Sequence, residues 1–452
     1  MSWSQDVSTI LRQEPELWLD YLTGKRLTGD LPRPQKRPAH LPTFLLKSFW
    51  FFIWAATKWS PSTNKKRLTQ GEGIDFLVLA TSRNQINTTS SLMTSLVTLG
   101  QSVVGISKGK RLKSVEDQRL YQPITYGAMD IWRALLAYRA HGHALYRAMK
   151  DANNNFADQK FLEVAKVYLY LAYFYRTLNQ CQPRAVVTSN DHSALNRCLL
   201  AVAHLLDIKT VYIQHASVSP YFPALLFDYA FLDGPAAAEI YADCADNRPE
   251  SFNRALTSNI TFSGQQKSLT TKPPSASKVT GIAINKLDNI ASVLRLIREL
   301  ADDGIAVRAR WHPRQSKGDI RKLESESQKL ASLALSDPER ESVDEFLNHV
   351  TWLVAGNSSI HLEGAIKGIA PLYYEFSASP HPDYYGFVEK GVATWVKSED
   401  DLIALLKSGR IPELNEEAVR FYSSTFGTEW EGRESELVAR HLASELAKSR
   451  TP

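Results

Sequence analysis

The sequence predicts an α/β protein made of two domains, each a parallel sheet covered by helices. Three observations predict it. The chain has 452 residues, where one domain takes roughly 100–200. Short apolar runs, the form of strands buried on both faces, alternate with helix-period segments closed by glycines. This alternation occurs twice, on either side of a stretch rich in Ser, Thr, Lys and Pro, Gln265 to Lys278, that reads as an interdomain linker.

Composition supports a large core and excludes several classes. Hydrophobic residues make up 44% and charged residues 22%, the balance of an ordinary globular protein. The net charge of +5 is mild. No basic run interleaved with aromatics crosses the body of the chain, which argues against a nucleic-acid partner. The three cysteines, Cys181, Cys198 and Cys244, are odd in number and scattered, which fits a reducing compartment. They form no CxxC or Cys/His spacing, so no structural metal is expected.

Met1 to Trp18 is mixed polar and acidic and is not a secretory signal. Phe44 to Ala56 is strongly apolar and aromatic, yet short of the roughly 20 residues a bilayer span needs. Lys25, Arg26, Arg33, Lys36 and Arg37 precede it, and Lys58, Lys65, Lys66 and Arg67 follow. Aromatic residues suit the membrane interface, and flanking Lys and Arg are drawn to anionic lipid. Residues 1–70 therefore read as a membrane-associating region anchored on one leaflet. The alternative is a helix docked on the main body among solvated charges.

The first α/β series occupies residues 71–265. Ile74 to Ala80 is a buried strand, the segment after the polar loop Thr81 to Asn87 a helix stopped by Gly100, and Ser102 to Ile106 a strand. Gly127 to Leu178 is helical and aromatic; its Tyr168 to Tyr175 stripe reads first as core and second as a groove lining. Strand Ala185 to Thr188, helix Leu195 to Leu206, and strands Thr210 to Ile213 and Tyr229 to Leu232 complete a Rossmann-like domain. The second series, 278–410, runs strand Val279 to Ile284, helix Leu287 to Leu300, stop Gly304, and strand Ala306 to Trp311. Helix Val343 to Asn348, strand Trp352 to Ala355, helix Ile360 to Lys367, stop Gly368 and strand Pro371 to Tyr374 follow. Residues 411–452 read as C-terminal helices.

Ligands of such sheets bind beyond the carboxyl ends of the strands. Asp191, in the loop after Ala185 to Thr188, is a candidate site residue, with Asp191 or Ser193 as a plain N-cap the alternative. His215, at the tip of Thr210 to Ile213, is placed to project beyond the sheet; a structural histidine is the alternative. Asp233 follows the next strand, where Asp-Gly also makes an ordinary turn. Alternation puts Arg308, Arg310 and His312 on one face as an anion site, with Pro313 fixing the turn that aims His312; for Arg310 a surface ion pair is the alternative. Gly356, Asn357, Ser358 and Ser359 open a helix whose N–H groups suit a phosphate, and Glu363 lies one turn further in.

The order Gln214-His215, Asp233-Gly234, Arg310-Trp311-His312-Pro313, then Ser358-Ser359 with Glu363 and Gly368 resembles GT-B transferases of bacterial surface polysaccharides. These include polysialyl- and sialyltransferases with His-Pro and Ser-Ser motifs, CDP-glycerol glycerophosphotransferases of teichoic acid synthesis, and capsule-synthesis proteins with a strand ending in Gln-His-Gly. The resemblance spans about Ala185 to Gly391. Ala216 stands where Gly is usual, and Leu232-Asp233-Gly234 matches only part of the acidic-acidic-Gly motif of sialyltransferases.

The resemblance implies a GT-B fold, two Rossmann-like domains facing across a cleft, and an inverting glycosyltransferase using a nucleotide sugar, CMP-linked by preference. His312 would contact or protonate the donor phosphate. Ser358 and Ser359 would bind it, with Pro313, Gly356 and Asn357 shaping the donor loop. Arg310 would add charge and Glu363 would hold the ribose or base. Asp191, His215 or Asp233 would be the acceptor base, His215 or Asp191 preferred. Helix dipoles and side chains meet the phosphate charge in this fold, and no Asp-x-Asp stands at a strand end, so no metal or other cofactor is expected. The implied acceptor is a lipid-linked or growing surface glycan, and the implied place is the cytoplasmic face of the inner membrane, peripherally bound. The alternatives are a CDP-polyol phosphotransferase, a nucleotide-sugar 2-epimerase and a non-catalytic scaffold of the same fold.

Overall fold

The computed structural model describes residues 3–13, 44–59, 73–109, 112, 114–152, 161–218, 220, 222–247, 255–266, 278–377 and 381–448. The basic residues Lys25, Arg26, Arg33, Lys36, Arg37, Lys65, Lys66 and Arg67, and most of the linker, lie outside the described residues. The chain forms two compact units, Met1–Gln266 with Glu434–Pro452, and Lys267–Arg433.

The first unit is built on β1 (Phe76–Ala80), β2 (Val103–Ser107), β3 (Tyr121–Pro123), β4 (Ala185–Thr188), β5 (Lys209–Ile213), β6 (Tyr229–Leu232) and β7 (Ile260–Phe262). They lie in the order β3-β2-β1-β4-β5-β6-β7, every pair parallel. β1 reads Phe-Leu-Val-Leu-Ala and is buried throughout, because helices cover both faces. The helix Arg83–Thr98 starts where Ser82 accepts a hydrogen bond from the Gln85 N–H. It ends before Gly100, at φ 77°, where a side chain would be strained. Val438, Ala439, Leu442 and Leu446 of the last helix, Glu434–Lys448, close one face of this sheet.

The Tyr168 to Tyr175 stripe is mainly core: Tyr168, Tyr173 and Phe174 are buried. Against it packs the helix Phe44–Ala56, whose Phe51 ring stacks on Tyr138 at 4.3 Å. Ser48 and Tyr138 share a hydrogen bond of 2.9 Å between their hydroxyls. This helix thus docks on the body through Lys47, Ser48, Phe51 and Ala55 while Leu46, Phe49, Trp50, Phe52 and Ile53 stay exposed. Among the described residues no helix is long and apolar enough to cross a membrane.

The second unit contains β8 (Val279–Ala283), β9 (Ala306–Arg310), β10 (Leu333–Ser336), β11 (Trp352–Ala355), β12 (Ala370–Tyr373) and β13 (Thr394–Trp395). Their order is β10-β9-β8-β11-β12-β13, again all parallel. Gly281 lets β8 lie against its helix layer, since a Cβ there would meet Val350 Cγ1 at 2.9 Å. In both sheets the chain begins near the middle, winds to one edge, and returns to wind to the other. The direction reverses between β1 and β4, and between β8 and β11, and crevices of this kind receive ligands in doubly wound sheets.

Candidate functional site

In the second unit the loops after β8 and β11, the strands at the reversal, are tied together. Asn285 Nδ2 donates to the Asn357 carbonyl at 2.6 Å. Asn357 in turn donates to the His381 carbonyl at 2.9 Å and accepts from the Tyr384 N–H at 2.8 Å. Asp288 accepts from the Asn285 N–H at 2.7 Å, and burial pushes its carboxyl up to about 6. On the other side of Gly356, His361 Nε2–H donates to the Gly356 carbonyl at 3.0 Å. His361 is 1% exposed, and burial holds its ring down at about 4. Gly356 is the residue this packing needs, since a Cβ would lie 3.2 Å from Asp288 Oδ1.

Ser358 accepts from the Ile360 N–H at 3.5 Å. Ser359 is the N-cap of the helix Ile360–Ile366, and its hydroxyl makes no capping bond. That helix has only seven residues, so the constrained backbone of Gly356 to Ser359 is the larger feature of the loop. Glu363 is buried in its first turn.

At the end of β9, His312 is half-buried, and its Nδ1 accepts a hydrogen bond from the Arg314 N–H at 3.0 Å. A neutral ring that accepts at Nδ1 carries its proton on Nε2. Burial, then the charges of Arg314 and Lys286, push the ring below its ordinary value. The result is a neutral donor in cationic surroundings, suited to an anion. Pro313 is exposed beside it.

Arg310 is placed differently from a surface ion pair. It is buried, donating from Nη1 to Ser336 Oγ at 2.8 Å and from Nη2 to the Glu341 carbonyl at 2.9 Å. Burial also lowers its pKa. Arg308 Nη2 donates to both Glu341 carboxylate oxygens at 2.8 and 2.9 Å. Glu341 therefore serves both arginines.

In the first unit, Asp191, His215 and Asp233 follow the adjacent strands β4, β5 and β6. Gln214 Oε1 accepts from the Asp233 N–H at 2.9 Å, joining two of these ends. Asp191 is 3% exposed, and its carboxylate is held on both sides. Oδ1 meets His192 Nδ1 at 2.8 Å, and Oδ2 accepts from the Tyr241 hydroxyl at 3.0 Å, which also meets the Tyr212 hydroxyl at 2.9 Å. Burial and the nearby Asp191 charge drive both tyrosines well above their ordinary values.

The N-cap of the following helix is Ser193, so Asp191 is not the cap. With its Nδ1–H donated to Asp191, His192 accepts at Nε2, where Asn190 Nδ2 donates to it at 3.3 Å and an acceptor hydroxyl would have to take that place. Such a carboxylate-oriented imidazole can take a proton from a hydroxyl. His192, Lys286, Asn285 and Asp288 were not among the sequence candidates. His192 sat beside one, and the other three follow β8 as His312 follows β9.

No family model matches the chain, and no curated protein matches it. Among solved structures, it is similar to the UDP-GlcNAc 2-epimerase from Methanocaldococcus jannaschii, with a TM-score of 0.53 and 13% identity over 82% of this chain and 100% of that one. The UDP-GlcNAc 2-epimerase from Neisseria meningitidis bound to UDP-GlcNAc is similar with a TM-score of 0.51 and 10% identity, over 82% and 100%. Acinetobacter baumannii MurG matches at a TM-score of 0.43 and 12% identity over 83% and 99%, too loosely to argue from. At these identities the likeness shows the fold, two α/β units of the GT-B type.

Proposed function

We propose that the chain is a glycosyltransferase that moves a sugar from a nucleotide donor to an acceptor hydroxyl. The observation that carries this reading is His312, held as a neutral Nε2–H donor beside Lys286 and Arg314, with the single strand β8 between its own strand and that of the braced Gly356 to Ser359 loop. That arrangement suits a donor phosphate. In the transfer, the acceptor oxygen bonds to the anomeric carbon, its proton passes to a base, for which His192 Nε2 of the first unit is the candidate, and the bond from that carbon to the phosphate oxygen breaks. His312 and the two cations meet the charge that develops on the leaving phosphate. Asp191 stabilises the imidazolium that forms at His192. His215 and Asp233 are the first unit's further acceptor-side candidates, and Ser358, Ser359 and Glu363 are the second unit's donor-side candidates. The acceptor is a lipid-linked or growing surface glycan at the cytoplasmic face of the membrane, and no step calls on a metal.

The sequence resemblance favours a CMP-linked donor. The two epimerase structures named above are enzymes of UDP-GlcNAc, which adds UDP-sugars to the candidates and supports a second reading, 2-epimerisation of a free nucleotide sugar. A thermal-shift screen against CMP, CDP, UDP, GDP and their sugar conjugates tests the site. A ligand at 100 times its Kd stabilises by about 2.7 kcal/mol. One selective response that His312→Ala abolishes is expected; no response to any nucleotide refutes the reading. NMR of the responding sugar nucleotide with and without glycan acceptor then separates transfer from epimerisation.

A further inference from the structure

Among the described residues, the first unit carries an apolar face that its packing leaves uncovered. On the helix Phe44–Ala56 the exposed side chains Leu46, Phe49, Trp50 and Ile53 fall at spacings of three and four, one stripe of the helix. On the neighbouring helix Ala128–Ala152, Met129, Trp132 and Leu136 repeat the pattern. Trp50 and Trp132 are 50% and 58% exposed, and with their neighbours they belong to a contiguous apolar patch of the kind that marks an interaction site.

Between the two helices opens a cavity of about 510 Å³, with Phe52, Trp132, Leu135 and Leu136 on its walls and Arg139 and His143 also lining it. Cavities that hold one small ligand run roughly 300–1,000 Å³. Ser48 and Tyr138, the polar groups of its lining between the helices, bond each other at 2.9 Å. The walls therefore offer an aliphatic chain little competition from water.

The exposed charge described on the two helices has one sign. Among the described side chains of both helices the single acid is Asp130, which is buried and bonded to Arg176. Arg139, His143 and Arg147 are exposed on successive turns of Ala128–Ala152. Lys58 and Lys166 both sit over the Trp54 ring, at 5.7 and 5.5 Å. Exposed tryptophans beside basic residues match the headgroup region of a bilayer containing acidic lipid. A second copy of this face would bring like charges together.

We propose that this two-helix face docks on an anionic bilayer and that the cavity takes one acyl chain of a lipid whose phosphate rests on Arg139 and His143. Docking would then involve the helix Ala128–Ala152 as much as the apolar segment Phe44–Ala56.

Flotation of the full chain with vesicles tests this, using phosphatidylcholine alone and phosphatidylcholine mixed with phosphatidylglycerol. The chain is expected to float with the mixed vesicles and far less with the neutral ones. Arg139→Glu should reduce partition roughly tenfold or more, since each basic residue near an acidic surface contributes about fivefold. Trp50→Ser with Trp132→Ser should abolish flotation. Phosphatidylglycerol brominated on its acyl chains should quench tryptophan fluorescence, and Trp132→Phe should remove part of that quenching while the protein still floats. These sites are exposed, so circular dichroism and the response to nucleotides should stay unchanged, which keeps the result separate from the proposed activity. Equal flotation with both vesicles, no flotation, or self-association that the tryptophan pair abolishes would each overturn the proposal.

Discussion

Gly356 sits between the half-buried Asp288 and the buried His361, two ionisable groups with opposite responses to pH, and this gives a prediction that can be worked from the structure. Asp288 is raised from 3.8 to about 6. Its folded state holds a proton that the unfolded chain has lost, so its contribution is full below pH 3.8 and disappears as pH rises through 6. His361 is lowered from 6.5 to about 4. The unfolded chain holds a proton that the folded ring refuses, so its contribution is full above pH 6.5 and disappears as pH falls through 4. At 1.36 kcal/mol for each unit of pKa, each effect amounts to about 3 kcal/mol. Between about pH 4 and 6.5 the two slopes nearly cancel, and each single variant exposes the other. Asp288→Asn keeps an acceptor for the Asn285 N–H and should make stability rise with pH, relative to the parent, by up to about 1.4 kcal/mol per pH unit. His361→Gln should make it fall by a similar slope. The assay is urea unfolding of the full chain at pH 4.5, 5.5 and 6.5, read by hydrogen exchange over 279–283 and 352–355 to isolate the second unit. Slopes is the readout, since the buried His361 site also loses packing at every pH. Parallel pH profiles for parent and both variants would refute the reasoning.

Two further predictions concern the reaction itself. Asp191→Asn should lower kcat roughly 10²-fold or more with little change in the KM for donor, and should shift the acidic limb of the acceptor pH profile, where the base His192 takes up its proton, because Asp191 positions His192; an unchanged profile would remove the pair from the reaction. Lys286→Ala should weaken nucleotide binding roughly fivefold in low salt and less in high salt, as an exposed charge does. Arg310→Ala should act on stability instead, by about 1–3 kcal/mol for each buried acceptor it abandons. Calorimetric titration and thermal unfolding of both variants check the division; a large binding loss in a stable Arg310 variant would reverse it.

The interior strands were legible because they are buried on both faces and so read as unbroken apolar runs. β4, β6 and β11 occupy the spans read from the sequence, and β1, β2, β5, β8, β9 and β12 differ by a residue or two at their ends. The four strands missed, β3, β7, β10 and β13, are the outer strands of the two sheets. An outer strand has one neighbour and an incompletely covered face, so its side chains need no apolar pattern. β7 reads Ile-Thr-Phe with both apolar residues exposed, and β13 is Thr394–Trp395 alone. The glycine stops were legible for a local reason: Gly100, Gly304 and Gly368 all take positive φ, a demand set by the chain within one turn.

The site was legible in its positions and not in its bonds. That Asp191, His215, His312 and Gly356 to Ser359 stand at strand ends follows from the alternation of elements. What each side chain does depends on partners far along the chain: Tyr241 is 50 residues from Asp191, and Asn357 is 72 from Asn285. Sequence alternation rightly put Arg308 and Arg310 on one face, and from that alone two cations would face an incoming phosphate. Glu341, 33 residues beyond Arg308, takes that charge with a two-pronged bond to one arginine and a carbonyl for the other. The positive field at His312 then comes from Arg314 and Lys286, on turns whose residues carry no periodic signal. Strand-end position can therefore nominate a residue, but the acid that neutralises it, or the amide that orients it, is fixed only when distant loops meet.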